Sequence, residues 1–133
     1  MINTVMFVMI GGAVGALLRE FLMLTVGTGP DGFPLDIFTA NVVASFLLGL
    51  GFSLHRRKLL NDGLYVLIGT GVMGGLSTFS SFVLAAVQLM DRTGPGPLSS
   101  VLYVGLSLAV GFGAVILGLR AGNLGAAPAD REP

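Results

Sequence analysis

The sequence predicts an all-α membrane protein of four transmembrane helices, with a break in the third helix. Of its 133 residues, 53% are hydrophobic and only 11% are charged, whereas soluble domains average about 25% charged residues. The charges are clustered, so four long stretches contain no Asp, Glu, Lys or Arg. An apolar stretch of roughly 18 residues crosses the hydrocarbon core as a helix, and a soluble bundle would need charged outer faces that these stretches lack. They cover residues 1–18, 37–54, 63–90 and 93–119.

The first segment is predicted at residues 4–26. Gly11 and Gly15, with Gly12 and Ala16 beside them, follow the Gly-x-x-x-Gly spacing that lets helix backbones approach closely in lipid. The expected role of these small residues is helix packing.

The second segment is predicted at residues 37–56. Asn41 and Ser45 lie about one helical turn apart, so they share a face of this helix. The basic residues at 55–58 follow at its end. Such residues extend their charged ends towards the membrane interface and help to set the orientation of the chain.

The third segment is predicted at residues 63–90. At about 1.5 Å per residue, it exceeds a hydrocarbon core of about 30 Å unless it tilts, overhangs or breaks. Residues 71–82 at its middle contain three glycines, four hydroxyl residues and two phenylalanines, a composition that does not favour a continuous helix. Non-helical backbone at this depth is tolerated only inside protein or beside a water-filled cavity. The sequence therefore predicts a break with a functional role.

The fourth segment is predicted at residues 98–121, with Tyr103, Ser107 and Gly111 in line on one face. Residues 1–121 are thus predicted to form a single transmembrane domain. Because four helices barely enclose a pore, we expect the chain to form an oligomer.

The remaining residues, 122–133, are small, polar and charged, and we expect them to form a disordered tail. The chain has no cysteine and a single histidine, which excludes disulfides, thiolate chemistry and a zinc site built from histidines. Seven basic and seven acidic residues give a net charge of zero, so nucleic acid is not an expected partner. No feature of the sequence predicts an enzyme.

The polar residues within the segments suit a small anion, because hydroxyls and amides donate hydrogen bonds without carrying charge. They are Asn41, Ser45, Ser77, Thr78, Ser80, Ser81, Tyr103 and Ser107. Phe79 and Phe82 lie on one side of a helical turn, and the edges of aromatic rings are electropositive. A broken helix adds free N–H groups at a positive dipole end. From spacing alone, the phenylalanines fit either an anion path or ordinary packing.

Three motifs resemble those of the Fluc, or CrcB, family of fluoride channels. They are Gly-Gly-Ala-Val-Gly-Ala-Leu-Leu-Arg at residues 11–19, Asn-Val-Val-Ala-Ser-Phe-Leu-Leu-Gly at 41–49, and Gly-Gly-Leu-Ser-Thr-Phe-Ser-Ser-Phe at 74–82. Their order, the chain length and the four-segment layout extend the resemblance over nearly the whole chain.

The resemblance implies a dimer of two antiparallel subunits in the cell membrane, with two pores through which fluoride leaves the cytoplasm passively. The expected partners are therefore fluoride, the lipid bilayer and a second subunit. Asn41 would donate to the ion beside the paired phenylalanines, and a polar line on the fourth helix would follow. The residues expected along the path are Asn41, Phe79, Ser80, Ser81, Phe82, Tyr103 and Ser107.

The resemblance also implies a structural Na⁺ at the centre of the dimer, held by the backbone carbonyls of Gly74 and Ser77. Arg19 matches the arginine that ends the first motif, and it would shape the electrostatic potential at the pore entrance. An ion pair between Arg19 and its neighbour Glu20 is the alternative.

The sequence departs from the family pattern at three places. Gly111 lies where many members carry a second serine, Ala85 lies where some carry a glutamate, and Asp36-Ile37 replaces a common Gly-Thr. These differences predict a less polar pore, or an ion path that uses other hydroxyls, such as those of Ser80 or Ser81.

The basic residues predict an orientation for the chain. If the termini and the second loop share one side, that side holds most of the arginines and lysines, which favours cytoplasmic termini. Insertion in both orientations would need a weaker bias. A homodimer is the favoured assembly, and a heterodimer with an oppositely oriented relative is the alternative.

Two other functions are compatible with four small helices. A small multidrug-resistance-type exporter would need an isolated carboxylate in the first helix, for which Glu20, adjacent to Arg19, is the candidate. A non-transporting membrane assembly subunit would need only the small packing residues, and it leaves Asn41 and the paired phenylalanines unexplained.

Overall fold

The computed structural model describes residues 2–29, 32–91 and 96–124, and every regular element within these ranges is helical. Four of its spans are long and apolar enough to cross a membrane. These spans are Ile2–Val26, Leu35–Arg56, Asp62–Met90 and Gly96–Gly122. The predicted fold class is therefore confirmed, and the chain is a multi-pass integral membrane protein.

Three of the spans are single helices, namely α1 (Ile2–Val26), α2 (Leu35–Arg56) and α6 (Gly96–Gly122). Each begins two residues before its predicted start, because the residues there are compatible with a first helical turn. Asp36 puts a negative charge near the N-terminus of α2, and Pro97 fits the first turn of α6.

The end of α6 extends slightly past its predicted limit. Gly122 was expected to begin the tail but is the last residue of this helix. The Arg57 guanidinium donates to the Gly122 carbonyl oxygen at 2.7 Å, which satisfies a carbonyl left unpaired at the helix end. The predicted tail continues to residues 125–133, which lie outside the described part of the chain.

The third span is composite. It consists of α3 (Asp62–Tyr65), a π-helical segment (Val66–Val72), α4 (Met73–Leu76) and α5 (Phe79–Met90). Ser77 and Thr78 between α4 and α5 are extended, with ψ angles of 147° and 115°. The predicted break in the third helix is therefore confirmed. The π-helical segment before it is an additional irregularity of a kind often found at functional sites.

Helix α1 packs closely on the third span through its glycines. A Cβ atom on Gly11 would overlap the Leu67 carbonyl oxygen, and one on Gly15 would overlap the Val72 carbonyl oxygen. Both glycines are buried, as the Gly-x-x-x-Gly spacing predicts. Close backbone contact of this kind takes the place of large interlocking side chains.

Helices α2 and α6 form the most extensive helix pair. Gly49 of α2 lies against the Val115 carbonyl oxygen, and Gly118 of α6 lies against the Phe46 carbonyl oxygen. The contacts of Ser45 with Gly111 and of Gly49 with Val115 advance in the same order along α2 and α6, so the two helices run in the same direction. One turn before the Gly49 contact, Ser45 faces α6. The polar faces of the two helices are thereby brought opposite one another.

We expect Gly118→Ala to reduce stability by about 1–3 kcal/mol, the usual cost of overpacking, because its Cβ would push α6 away from α2. Gly113→Ala on the same helix is the matched control, since a Cβ there meets no atom within 4 Å. Thermal unfolding in detergent, followed by far-ultraviolet circular dichroism, measures both. A Gly118→Ala midpoint equal to that of Gly113→Ala would contradict the packing argument.

Candidate functional site

The break in the third span is held by a side chain from α2. The Thr78 N–H donates to Asn41 Oδ1 at 3.0 Å, whereas in a continuous helix it would donate to the Gly74 carbonyl. Because a backbone N–H only donates, the contact identifies the amide oxygen of Asn41 as the atom that faces the break. The NH₂ group of Asn41 is therefore left as a donor for another acceptor.

Thr78 also begins the helix that follows the break. Its Oγ1 accepts from the Ser81 N–H at 3.2 Å, which is an N-cap interaction that satisfies one of the free donors of α5. The same hydroxyl donates to Ser81 Oγ at 3.2 Å and lies 3.2 Å from Ser80 Oγ. Since its single proton points to Ser81, Ser80 is the donor in the last contact. Both serine hydroxyls are thus bound to the cap.

The break releases backbone carbonyls from helical hydrogen bonding. The Thr78 N–H, which would bind the Gly74 carbonyl in a continuous helix, binds Asn41 instead. The Ser81 N–H, which would bind the Ser77 carbonyl, binds the Thr78 hydroxyl. The Gly75 carbonyl accepts instead from Arg19 Nη1 at 3.3 Å. The carbonyl oxygens of Gly74 and Ser77 are thereby free to bind a hard cation. Acidic, histidine and cysteine side chains form no group that could hold a metal within the described ranges.

A cavity of about 400 Å³ lies beside the break, between α2, α5 and α6. Its polar lining comes from Asn41, Ser45, Ser77, Thr78 and Ser107, and its aromatic lining comes from Phe79, Phe82 and Phe112. Ser107 Oγ is buried close to the Tyr103 hydroxyl, without a hydrogen bond of good geometry between them. An unpaired buried hydroxyl is costly, so a polar partner that reached this atom would be bound favourably.

The paired phenylalanines form one wall of this cavity. Their ring centroids are 6.2 Å apart, and the ring planes are inclined at 34°. Phe82 is half-buried against Tyr103, with ring centroids 5.3 Å apart, whereas Phe79 is 79% exposed on the surface of the subunit. One ring is therefore held by the fold, and the other projects outward.

Two further cavities adjoin the break. One of about 290 Å³ is lined by Asp36, Ser81 and Gln88, among others, and the Asp36 Oδ1 atom is buried without a partner. The other, of about 160 Å³, is lined mostly by apolar residues together with Ser45 and Ser77. The polar residues of the break thus face three separate spaces.

The structure brings some of the predicted path residues together and separates others. Asn41, Phe79, Phe82 and Ser107 line the largest of the three cavities. Ser81 lines the second, and Ser80 is exposed beside the break. Tyr103 is fully buried behind Phe82, and its hydroxyl has no partner. The role of these residues in ion passage stays a prediction.

Arg19 lies beside the helix break. Its Nη1 donates to the Gly75 carbonyl oxygen, and the entrance role that the resemblance implies stays a prediction. The Glu20 side chain is exposed, and among the described residues Arg19 bonds to the carbonyl and not to Glu20. The alternative of a local ion pair is therefore not observed.

Two polar residues of the cavity are missing from the predicted site. Thr78 links Asn41 to the cap of α5, and Ser45 lines two of the cavities. A threonine immediately before a predicted helix start is an N-cap signal, and it could have identified Thr78. Ser45 shares a face with Asn41, and its role follows only from the position of α6.

The fold and the site define a small polytopic membrane protein with a largely apolar cavity at a broken helix, into which a few uncharged polar groups converge, as expected for a channel or carrier of a small solute. Residues 6–119 match the family described as CrcB-like protein, Camphor Resistance (CrcB). The chain belongs to the CrcB family, and the predicted resemblance is confirmed.

Individual relatives cover most or all of the chain. It is 51% identical over 120 residues to fluoride-specific ion channel FluC 3 of Yersinia pseudotuberculosis, covering 90% of this chain and 89% of the relative. It is 45% identical over 133 residues to FluC 1 of Brucella abortus, of which it spans about half, 49%. It is 39% identical over 123 residues to FluC of a Ruegeria species, covering 91% of this chain and 95% of the relative.

Proposed function

We propose that this chain forms a passive, fluoride-selective channel that exports F⁻ from the cytoplasm. The observation that carries the proposal is the cavity at the break, where amide and hydroxyl donors converge without a formal charge. The relatives named fluoride-specific ion channels support the choice of ion.

The lining suits a small, strongly hydrated anion. Moving such an ion out of water is costly unless protein donors replace its hydration. The Asn41 NH₂ group is available because Thr78 occupies the amide oxygen, and Ser107 Oγ has no other partner. The ring edges of Phe79 and Phe82 add a weakly electropositive wall. Chloride is larger and more easily dehydrated, so a narrow set of donors discriminates against it.

Passive flow is the mechanism that these residues support. A proton-coupled exporter needs an embedded carboxylate, and the candidate Glu20 is exposed on α1 and does not line the cavity. A purely structural subunit would not account for the converging donors. Transport of an ion makes and breaks no covalent bond, so we assign no catalytic residue.

The functional unit in this proposal is a dimer of antiparallel subunits. Phe79 is 79% exposed although it borders the cavity, so a second subunit would complete the wall that this ring begins. We propose a homodimer. Because the basic residues are unevenly distributed, a heterodimer with an oppositely oriented relative is the alternative.

We further propose that Na⁺ binds at the dimer centre as a structural ion. The carbonyl oxygens of Gly74 and Ser77 fit this role because the break diverts both of their helical donors, and oxygen ligands suit a hard cation. The ion would neutralise these carbonyl dipoles where two subunits meet. Gly74 is exposed on the subunit surface, which supports a site shared with a partner.

We expect fluoride efflux from liposomes that contain the purified protein, expressed alone and isolated as a dimer. A fluoride electrode would record the efflux, with chloride efflux measured on the same preparation. The proposal requires fluoride flux without chloride flux, and it requires the same rate with and without a proton gradient. Absence of fluoride flux from verified dimers would rule out the homomeric channel.

We expect Phe79→Ile and Phe82→Ile to reduce fluoride efflux about tenfold or more, because each removes a ring edge from the ion path, and tenfold corresponds to about 1.4 kcal/mol of barrier. Phe52→Ile is the matched control, since Phe52 is exposed on α2 and does not line the cavity. Each variant is compared at equal amounts of reconstituted dimer. Wild-type rates in both pore variants would show that the rings do not border the path.

We expect Na⁺ to stabilise the purified dimer, because a ligand that binds only the folded state adds about 2.7 kcal/mol at one hundred times its dissociation constant. After exhaustive dialysis into N-methyl-D-glucamine chloride, addition of NaCl should raise the thermal midpoint. N-methyl-D-glucamine chloride added to the same ionic strength is the control. An identical midpoint in the two salts would count against a structural Na⁺.

A further inference from the structure

The register of α2 against α6 gives Ser45 a position that its sequence context does not reveal. Ser45 lies one turn after Asn41 on α2, and Gly111 lies one turn after Ser107 on α6. A Cβ built on Gly111 would lie 3.7 Å from Ser45 Oγ, which is the only atom found within 4 Å of it. Gly111 itself therefore places no side chain between the Ser45 hydroxyl and the space in front of this glycine.

That space is the largest of the cavities at the break, and both residues line it. Ser45 and Ser77 are also the two residues that line both this cavity and the smaller one of about 160 Å³. The two spaces consequently adjoin at a pair of hydroxyls. The rest of the smaller cavity is lined by Ala44, Leu48, Gly69, Met73 and Gly74.

A fluoride ion in the larger cavity would require hydrogen-bond donors such as these hydroxyls. A fluoride ion that has lost its water requires several donors at once, and the Asn41 NH₂ group supplies at most two hydrogens. Ser107 Oγ, which has no partner in the subunit, adds one. A serine hydroxyl within a helix rotates between its own backbone carbonyl and an external acceptor, so Ser45 is able to turn its proton towards an ion.

We propose that Ser45 is a direct fluoride ligand, and that its hydroxyl, with those of Ser77 and Ser107 and the amide of Asn41, forms one binding position for the dehydrated ion. This inference rests on the proposed channel function and adds a specific position to it. Gly111 contributes by its lack of a side chain, which leaves the Ser45 hydroxyl open to the cavity.

The test compares fluoride efflux from liposomes containing wild-type protein, Ser45→Ala and Ser53→Ala. Ser53 is the matched control, because it is a buried serine of the same helix whose hydroxyl donates to Asn123 Oδ1 at 2.7 Å, away from the cavity. We expect Ser45→Ala to lower efflux about tenfold or more, the effect of losing one hydrogen bond to an ion. Ser53→Ala should retain the wild-type rate.

A second variant separates the hydroxyl from the packing of Ser45. Adding Gly111→Ser to Ser45→Ala supplies a hydroxyl from the opposite wall, and its Cβ fits without displacing a neighbour. Recovery of at least part of the lost efflux would support the proposal. A double variant as slow as Ser45→Ala would overturn it, and so would a wild-type rate in Ser45→Ala. Absence of flux from the wild-type protein would instead contradict the channel function itself.

Discussion

The hydrogen bond from the Thr78 N–H to the Asn41 side-chain oxygen connects the parts of this molecule. It gives a partner to a backbone donor that the broken helix would otherwise leave unpaired inside the membrane, where no water is available to bind it. It also turns the amide so that the NH₂ group of Asn41 is the free end, and it diverts a donor away from the Gly74 carbonyl. One contact therefore leaves the Asn41 NH₂ group free as a donor and takes the helical donor away from the Gly74 carbonyl.

The break depends in turn on close helix packing. Gly11 and Gly15 hold α1 against the third span, and Gly49 and Gly118 hold α2 against α6. These contacts use backbone atoms, so they set the helix separation more rigidly than flexible side chains would. Within this frame the polar faces of α2 and α6 stay opposite one another. A cavity of about 400 Å³ persists between them, next to the start of α5.

The outer surface is consistent with a protein that is completed by its surroundings. Large apolar side chains are exposed along α1, α5 and α6, and lipid or another subunit would cover them in a membrane. Three of these exposed side chains, Phe79, Leu108 and Phe112, also border the cavity at the break. The proposed partner subunit would therefore add to the ion path, whereas lipid would close it with hydrocarbon.

The sequence by itself determined the four helical spans, the break in the third and the family, because charge-free stretches and a glycine- and hydroxyl-rich interruption are local patterns. It also identified Asn41, Phe79, Phe82 and Ser107, which meet at one cavity. Only the tertiary structure decided that Arg19 bonds to the Gly75 carbonyl and that Ser45 faces Gly111. Both outcomes depend on the register between helices that are far apart in the chain. Backbone contacts at glycines set this register, and the periodicity of a single helix does not encode it.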